Sequence, residues 1–157
     1  MVAVVDGYTI LKLFHVLFAI VWVGGGVAFN IFATRAVRSG DGPRIATFAR
    51  EAEFVGQRVF FPSAVLVLLF GIFATLKGHL GFTDTWILLG LIGIGFTIVT
   101  GSTFLGPESK RIGELIDQRG GADPEVKRRL ARILAVGRID LVVLLLVVVD
   151  MVLKPGA

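Results

Sequence analysis

Four long apolar runs alternate with short charged segments along the chain, covering residues 10–34, 59–76, 86–105 and 133–153. A membrane-spanning helix needs about 20 mostly apolar residues, so each run reads as a span. Arg35 closes the first, Lys77 the second, Gly106 and Pro107 the third, Lys154 and Pro155 the fourth. The fourth run also contains Arg138, Asp140 and Asp150. The pattern predicts an all-α, polytopic membrane four-helix bundle, with residues 1–157 forming a single transmembrane domain. Loops 35–58 and 106–132 carry helices of their own. Ser39-Gly40-Asp41-Gly42-Pro43 breaks the chain, and Pro43 starts a helix that continues into span two. Gly120-Gly121-Ala122-Asp123-Pro124-Glu125 repeats the device before span four, with Asp123 as N-cap and Pro124 at the first helical position. Val55-Gly56-Gln57-Arg58 and Val136-Gly137-Arg138 fall at similar places in the two halves, the pattern of two repeated helical hairpins.

Within span one, Lys12, His15, Ala19, Trp22, Gly26, Asn30 and Ala33 lie within about 60° of one line at 100° per residue. This stripe of small and polar side chains is expected to face other helices, while Leu13, Leu17, Val21 and Ile31 point elsewhere. In span three, Gly93, Thr97 and Gly101 form a ridge of small residues that specifies close helix contact, within the chain or across a homodimer.

Composition agrees with lipid as the solvent: 55% of residues are hydrophobic and 18% charged, with a mean hydropathy of +0.84. The net charge of +4 does not indicate a nucleic-acid partner, because Lys and Arg fall in two blocks between the apolar runs. Five arginines (35, 38, 44, 50 and 58) lie between spans one and two. Lys110, Arg111, Arg119, Lys127, Arg128, Arg129 and Arg132 lie between spans three and four. By the positive-inside rule both loops are cytoplasmic, facing anionic headgroups, and both termini are outside. The stretch from Met1 to Tyr8 has no basic n-region, so the first run is read as a retained span.

Candidate chemistry is sparse. The chain has no Cys, two Met and two His, which excludes disulfides, thiolate metal sites and cysteine nucleophiles. No Ser-His-Asp set, catalytic carboxylate pair or phosphate loop appears, which disfavours a hydrolase. Intramembrane ionisable groups are the remaining candidates. With Trp22 near the midplane, His15 lies about 10 Å toward the outer face. Asp150 sits at a similar depth, so Lys12, His15 and Asp150 are expected to cluster, with Lys154 at the rim. Arg58, Arg138 and Asp140 form a second group near the cytoplasmic interface. Each has a structural reading too: Lys12 snorkels, His15 bridges helices, the aspartates pair with cations, Trp22 packs, and the arginines meet headgroups.

Leu11-Lys12-Leu13-Phe14-His15-Val16-Leu17, followed by Val21-Trp22-Val23-Gly24-Gly25-Gly26, resembles the opening of an uncharacterised bacterial family of predicted four-span integral membrane proteins. The ending Met151-Val152-Leu153-Lys154-Pro155-Gly156 is similar to that family's close. The resemblance implies a multi-pass protein of the bacterial cytoplasmic (inner) membrane. More distantly, the His-then-Trp-Gly opening and Lys-Pro ending look like the membrane-type protoporphyrinogen oxidase and copper-resistance D families. The first of these implies haem b or another tetrapyrrole, with His15 as the axial metal ligand. Trp22 would then stack on the ring, Gly25 and Gly26 would admit it, and Arg58 or Arg138 would receive propionates. His79 is the other histidine and falls in the outer turn, so a bis-His cytochrome within one chain is not expected. Copper is poorly served without Cys and with only Met1 and Met151. The expected function is a haem- or tetrapyrrole-associated redox protein. The alternatives are a proton, cation or small-solute conduit using Lys12, His15, Asp150 and Asp140, and a non-catalytic membrane scaffold.

Overall fold

The computed structural model describes residues 6–156, which form six α-helices and no strand. α1 (Gly7–Ser39) begins where the Asp6 carboxylate accepts the Thr9 N–H at 2.8 Å. It ends at Gly40, whose left-handed conformation (φ 67°) turns its N–H back onto the Val37 carbonyl. Its 33 residues extend about 50 Å, well past a hydrocarbon core of roughly 30 Å. α2 (Gly42–Val55) follows, with Pro43 in its first turn, and passes through a π-helical turn (Gly56–Phe60) into α3 (Phe61–Lys77). After a short turn come α4 (Thr85–Thr100), a second π-helical turn (Gly101–Leu105) and α5 (Gly106–Arg119). α6 (Pro124–Leu153) starts where Asp123 accepts the Glu125 N–H at 2.8 Å.

The third apolar run therefore does not stop at Gly106-Pro107. A proline inside a helix lacks an N–H and collides with the carbonyl four residues back. Both internal prolines are met by the same solution. The N–H of Phe61, just before Pro62, bonds the carbonyl of Gly56 five residues back, and that of Gly106, just before Pro107, bonds Gly101. The wider π turn absorbs the proline and the helix continues. The repeated feature is thus Gly-x5-Pro at Gly56 and Gly101. Gly137 lies in regular helix, so the expected match of Gly56 with Gly137 has no counterpart in local structure.

Three continuous rods are long and apolar enough to cross a membrane: Gly7–Ser39, Gly42–Lys77 and Thr85–Arg119. α6 packs with them. α1 touches α3 and α6, and α4 touches α3 and α6, closing a ring. At mid-length the ring is filled by Trp22, Ala64, Val67, Ile94 and Leu144. Gly93 of the small-residue ridge lies against Val147 of α6, and Gly90 one turn earlier lies against Met151, so that part of the ridge serves contact within the chain. Outward, Leu13, Leu17, Val21 and Ile31 are all more than two-fifths exposed. In water that surface would drive association; in lipid it is solvated.

At one end, α2, α5 and the first turns of α6 enclose a second core of Ile45, Ala49, Ile112, Ile116, Val126 and Leu130. The loop before α6 passes so close to the start of α2 that a side chain at Gly121 would collide with the Gly42 backbone. The buried Glu108 carboxylate receives Arg129 Nη1 at 2.8 Å, and Arg129 Nε also reaches Glu125 at 2.9 Å. These bonds, Glu108 first, hold the Arg129 guanidinium above its ordinary pKa. The opposite end carries Asp6, the 78–84 turn and Lys154, and is called the turn end below.

Candidate functional site

Two cavities lie one above the other in the bundle. The larger, about 430 Å³, opens toward the α2–α5 end and reaches down to Trp22 and Leu144. The smaller, about 170 Å³, lies toward the turn end and reaches up to Val67 and Ile94. The mid-bundle core of Trp22, Ala64, Val67, Ile94 and Leu144 is the layer between them.

Both π turns border the large cavity. Gly56 and Gly101, the first residues of those turns, both line it, and no neighbouring atom lies within 4 Å of where their side chains would be. Phe29, Phe48 and Phe60 wall it, with Phe29 edge-on to Phe60 at 5.7 Å between ring centres. Two acceptors in its lining are buried without a hydrogen-bond partner, Asn30 Oδ1 and Asp140 Oδ1. Asn30 Nδ2 donates one N–H to the Gly26 carbonyl at 3.1 Å, while Oδ1 accepts from nothing. The second carboxylate in the lining is Glu53, whose Oε1 accepts from Gln57 at 3.4 Å.

The small cavity holds His15, Lys12 and Lys154 in its lining. His15 Nδ1 lies 2.8 Å from the Val67 carbonyl oxygen, and a carbonyl only accepts, so Nδ1 carries the proton. Nε2 is left with its lone pair and makes no hydrogen bond among the described residues. A side chain at Gly71 would sit 3.0 Å from His15 Cε1 and Nδ1, so the ring occupies the space that glycine leaves. Lys12 Nζ lies 5.5 Å from the centre of the Tyr8 ring, and Lys154 Nζ 5.0 Å from that of Trp86. Both are cation–π placements.

The outer polar cluster is thus only partly assembled. Lys12 and His15 share a cavity with Lys154 at its rim, but Asp150 is absent from that lining and pairs with neither. Both its carboxylate oxygens are buried without a partner, and Oδ2 faces Gly90 on the α4–α6 seam. The second group separates as well. Arg138 donates to Thr34 Oγ1 at 3.2 Å, Arg58 lies over the Phe54 ring at 5.4 Å, and Asp140 points into the large cavity.

The residues assigned to a tetrapyrrole do not converge. His15 is in the small cavity, whereas Trp22 and Gly26 line the large one. The space at Gly25 is filled by the Phe60 ring, whose Cε1 would be 2.8 Å from an added Cβ. Arg58 and Arg138 are exposed. A cavity of 170 Å³ is below the roughly 300–1,000 Å³ that encloses a drug-sized ligand. His15 therefore fits the axial position of a haem, but its surroundings do not enclose the ring. No group of three or more His, Asp or Glu among the described residues is placed to hold a metal ion. The sequence reading missed Asn30 as a polar site residue and Glu53 altogether. Asn30 stood on the helix-facing stripe as an uncharged side chain, and Glu53 was hidden in a charged loop helix.

Residues 9–155 match the model of a family described as "Predicted integral membrane protein (DUF2269)". No curated protein and no solved structure matches the chain, and the distant likeness to the protoporphyrinogen oxidase and copper-resistance D families has no support.

Proposed function

The chain belongs to the DUF2269 family of predicted integral membrane proteins, and on that premise we propose that it is a carrier for a small solute. The observation that carries this reading is the pair of cavities on opposite sides of one thin layer of side chains. Trp22 and Leu144 line one cavity, and Val67 and Ile94 line the other. Small rotations of a few side chains or helices would transfer a solute from one vestibule to the next, the geometry that alternating access requires. The two π turns lie on the wall of the larger vestibule, where helices bend most readily.

In this reading α6 is the fourth span. Its Ile139, Val142, Leu146, Val149 and Leu153 recur at helical spacing and are half or more exposed, a stripe suited to lipid. Asp140 and Asp150 turn away from it into the bundle. The basic α2–α5 end lies in the cytoplasm against anionic headgroups and the termini lie outside, in a bacterial cytoplasmic membrane. The carrier reading is tested by counterflow in proteoliposomes. Solute-dependent exchange that Asp140→Asn abolishes is expected, and exchange no faster than in protein-free vesicles for every solute tested would overturn it.

A second reading rests on His15 alone. Its bare Nε2 is the form an axial haem ligand needs, but the ring would have to lie partly in lipid or against a second copy of the chain. A Soret band removed by His15→Ala is the expected result on this reading; haem-supplemented expression without a Soret band eliminates it.

A further inference from the structure

We infer that the large cavity is a site for an organic ammonium, an amine cation with N–H donors and a compact apolar body. The inference deepens the carrier reading by naming its solute class, while the binding it asserts is measurable without transport. Charge is the first observation. The chain has 16 Lys and Arg against 12 Asp and Glu, and basic residues crowd the end into which this cavity opens. Yet no Lys, Arg or His lines it, whereas Asp140 and Glu53 do. Hydrogen bonding is the second. Asn30 Oδ1 and Asp140 Oδ1 are buried acceptors with nothing to accept from, and such groups are costly unless a donor arrives. Both oxygens are covered by neighbouring side chains, so a ligand bonds them as the lining shifts to admit it. Such a ligand must bring N–H or O–H donors, and one that also suits a carboxylate in an apolar wall brings positive charge.

Shape is the third observation. The walls are Trp22, Phe29, Phe48 and Phe60, faces that attract a cation and an apolar body alike. About 430 Å³ is far more than a proton or bare metal ion fills, and it falls within the usual range for small-molecule pockets. A lipid with an ammonium headgroup fits less well, because its phosphate would enter a lining that offers acceptors and no cation. The free amine is therefore the source to which the site is assigned.

The test uses the full chain in nanodiscs, titrated calorimetrically with 2-phenylethylammonium after subtraction of empty nanodiscs. Saturable one-site binding is expected, weakened at least about tenfold by Asp140→Asn, which loses one charge-assisted hydrogen bond. 2-Phenylethanol, the neutral analogue, is expected to bind at least about tenfold more weakly on the same ground. Glu53→Gln supplies an independent variant if Asp140→Asn does not fold, and it too should weaken binding. Heat no greater than that of empty nanodiscs overturns the site, as does equal binding of the alcohol or undiminished binding in both variants. Amine binding that is abolished when phosphatidylethanolamine is included in the nanodisc lipid likewise overturns the assignment to a free amine. Amine binding without flux upholds the site and removes the carrier reading; flux of another solute without amine binding removes the site alone.

Discussion

His15 Nδ1 donates to the Val67 carbonyl across the α1–α3 seam, and the ring lies where Gly71 has no side chain. Gly71→Ala should therefore displace a ring that is already tethered, destabilising the protein by about 1–3 kcal/mol, the usual range for overpacking. In a His15→Ala background the same substitution should be close to neutral, and a double-mutant cycle on thermal unfolding in detergent measures the difference. Asp6 offers a second residue-level test. Its carboxylate accepts from Thr9, and that hydrogen bond holds its pKa below the ordinary 3.8. A lowered folded-state pKa means that the bond's contribution is present above the ordinary value and is lost as pH falls through the lowered one. The unfolding midpoint should thus drop on acidification below about pH 4, and Asp6→Asn should flatten that part of the profile.

Among the elements, the π turns carry the most information. Each replaces an α-helical turn just ahead of a proline, at Pro62 and Pro107. Pro62→Ala restores a donor and removes the clash, so amide exchange over residues 56–61 should slow, as read by hydrogen–deuterium exchange mass spectrometry. The α5–α6 contact makes a contrasting prediction. Arg129→Leu should lower the unfolding midpoint more than Glu108→Leu does, because the first strands a buried carboxylate and the second leaves a partly exposed guanidinium with Glu125 still beside it. Helices and caps were legible in the sequence because they depend on nearest neighbours: Asp6 was not recognised as a cap, but Asp123-Pro124, Pro43 and the Gly40 break act as read. The stripe from His15 through Trp22 to Ala33 likewise faces inward as its spacing required. Gly106-Pro107 misled because a proline signals a stop unless the preceding turn widens, and that widening is a backbone choice made with the tertiary fold. The dispersal of Lys12, His15 and Asp150 was not legible, since depth along a span says nothing about which seam a side chain enters. The same holds for the placing of Asn30 and Asp140 in the lining of one cavity, since they come from opposite ends of the chain.

The whole molecule is a bundle with a thin layer of side chains between two cavities at mid-height and a compact cap at one end. Trp22 fills the layer between the cavities, so Trp22→Leu should join them and raise the passive permeability of proteoliposomes to small solutes, measured by stopped-flow light scattering. The native chain has no Cys, so single cysteines at Thr83 and Ala122 provide a clean test of topology. A membrane-impermeant maleimide applied to intact cells should label the first and spare the second. The order in which the cap's parts are made, finally, has a consequence for the unfinished chain. The cap's core draws Ile45 and Ala49 from the first third of the chain and Val126 and Leu130 from the last. During synthesis, α2 must therefore leave the ribosome before α5 can cover it, and the α2–α5 pair stays open on one side until α6 has followed. A nascent chain arrested before Val126 would present that open side to the chaperones and proteases around it, so quality control would recognise an unfinished copy by its missing last helix.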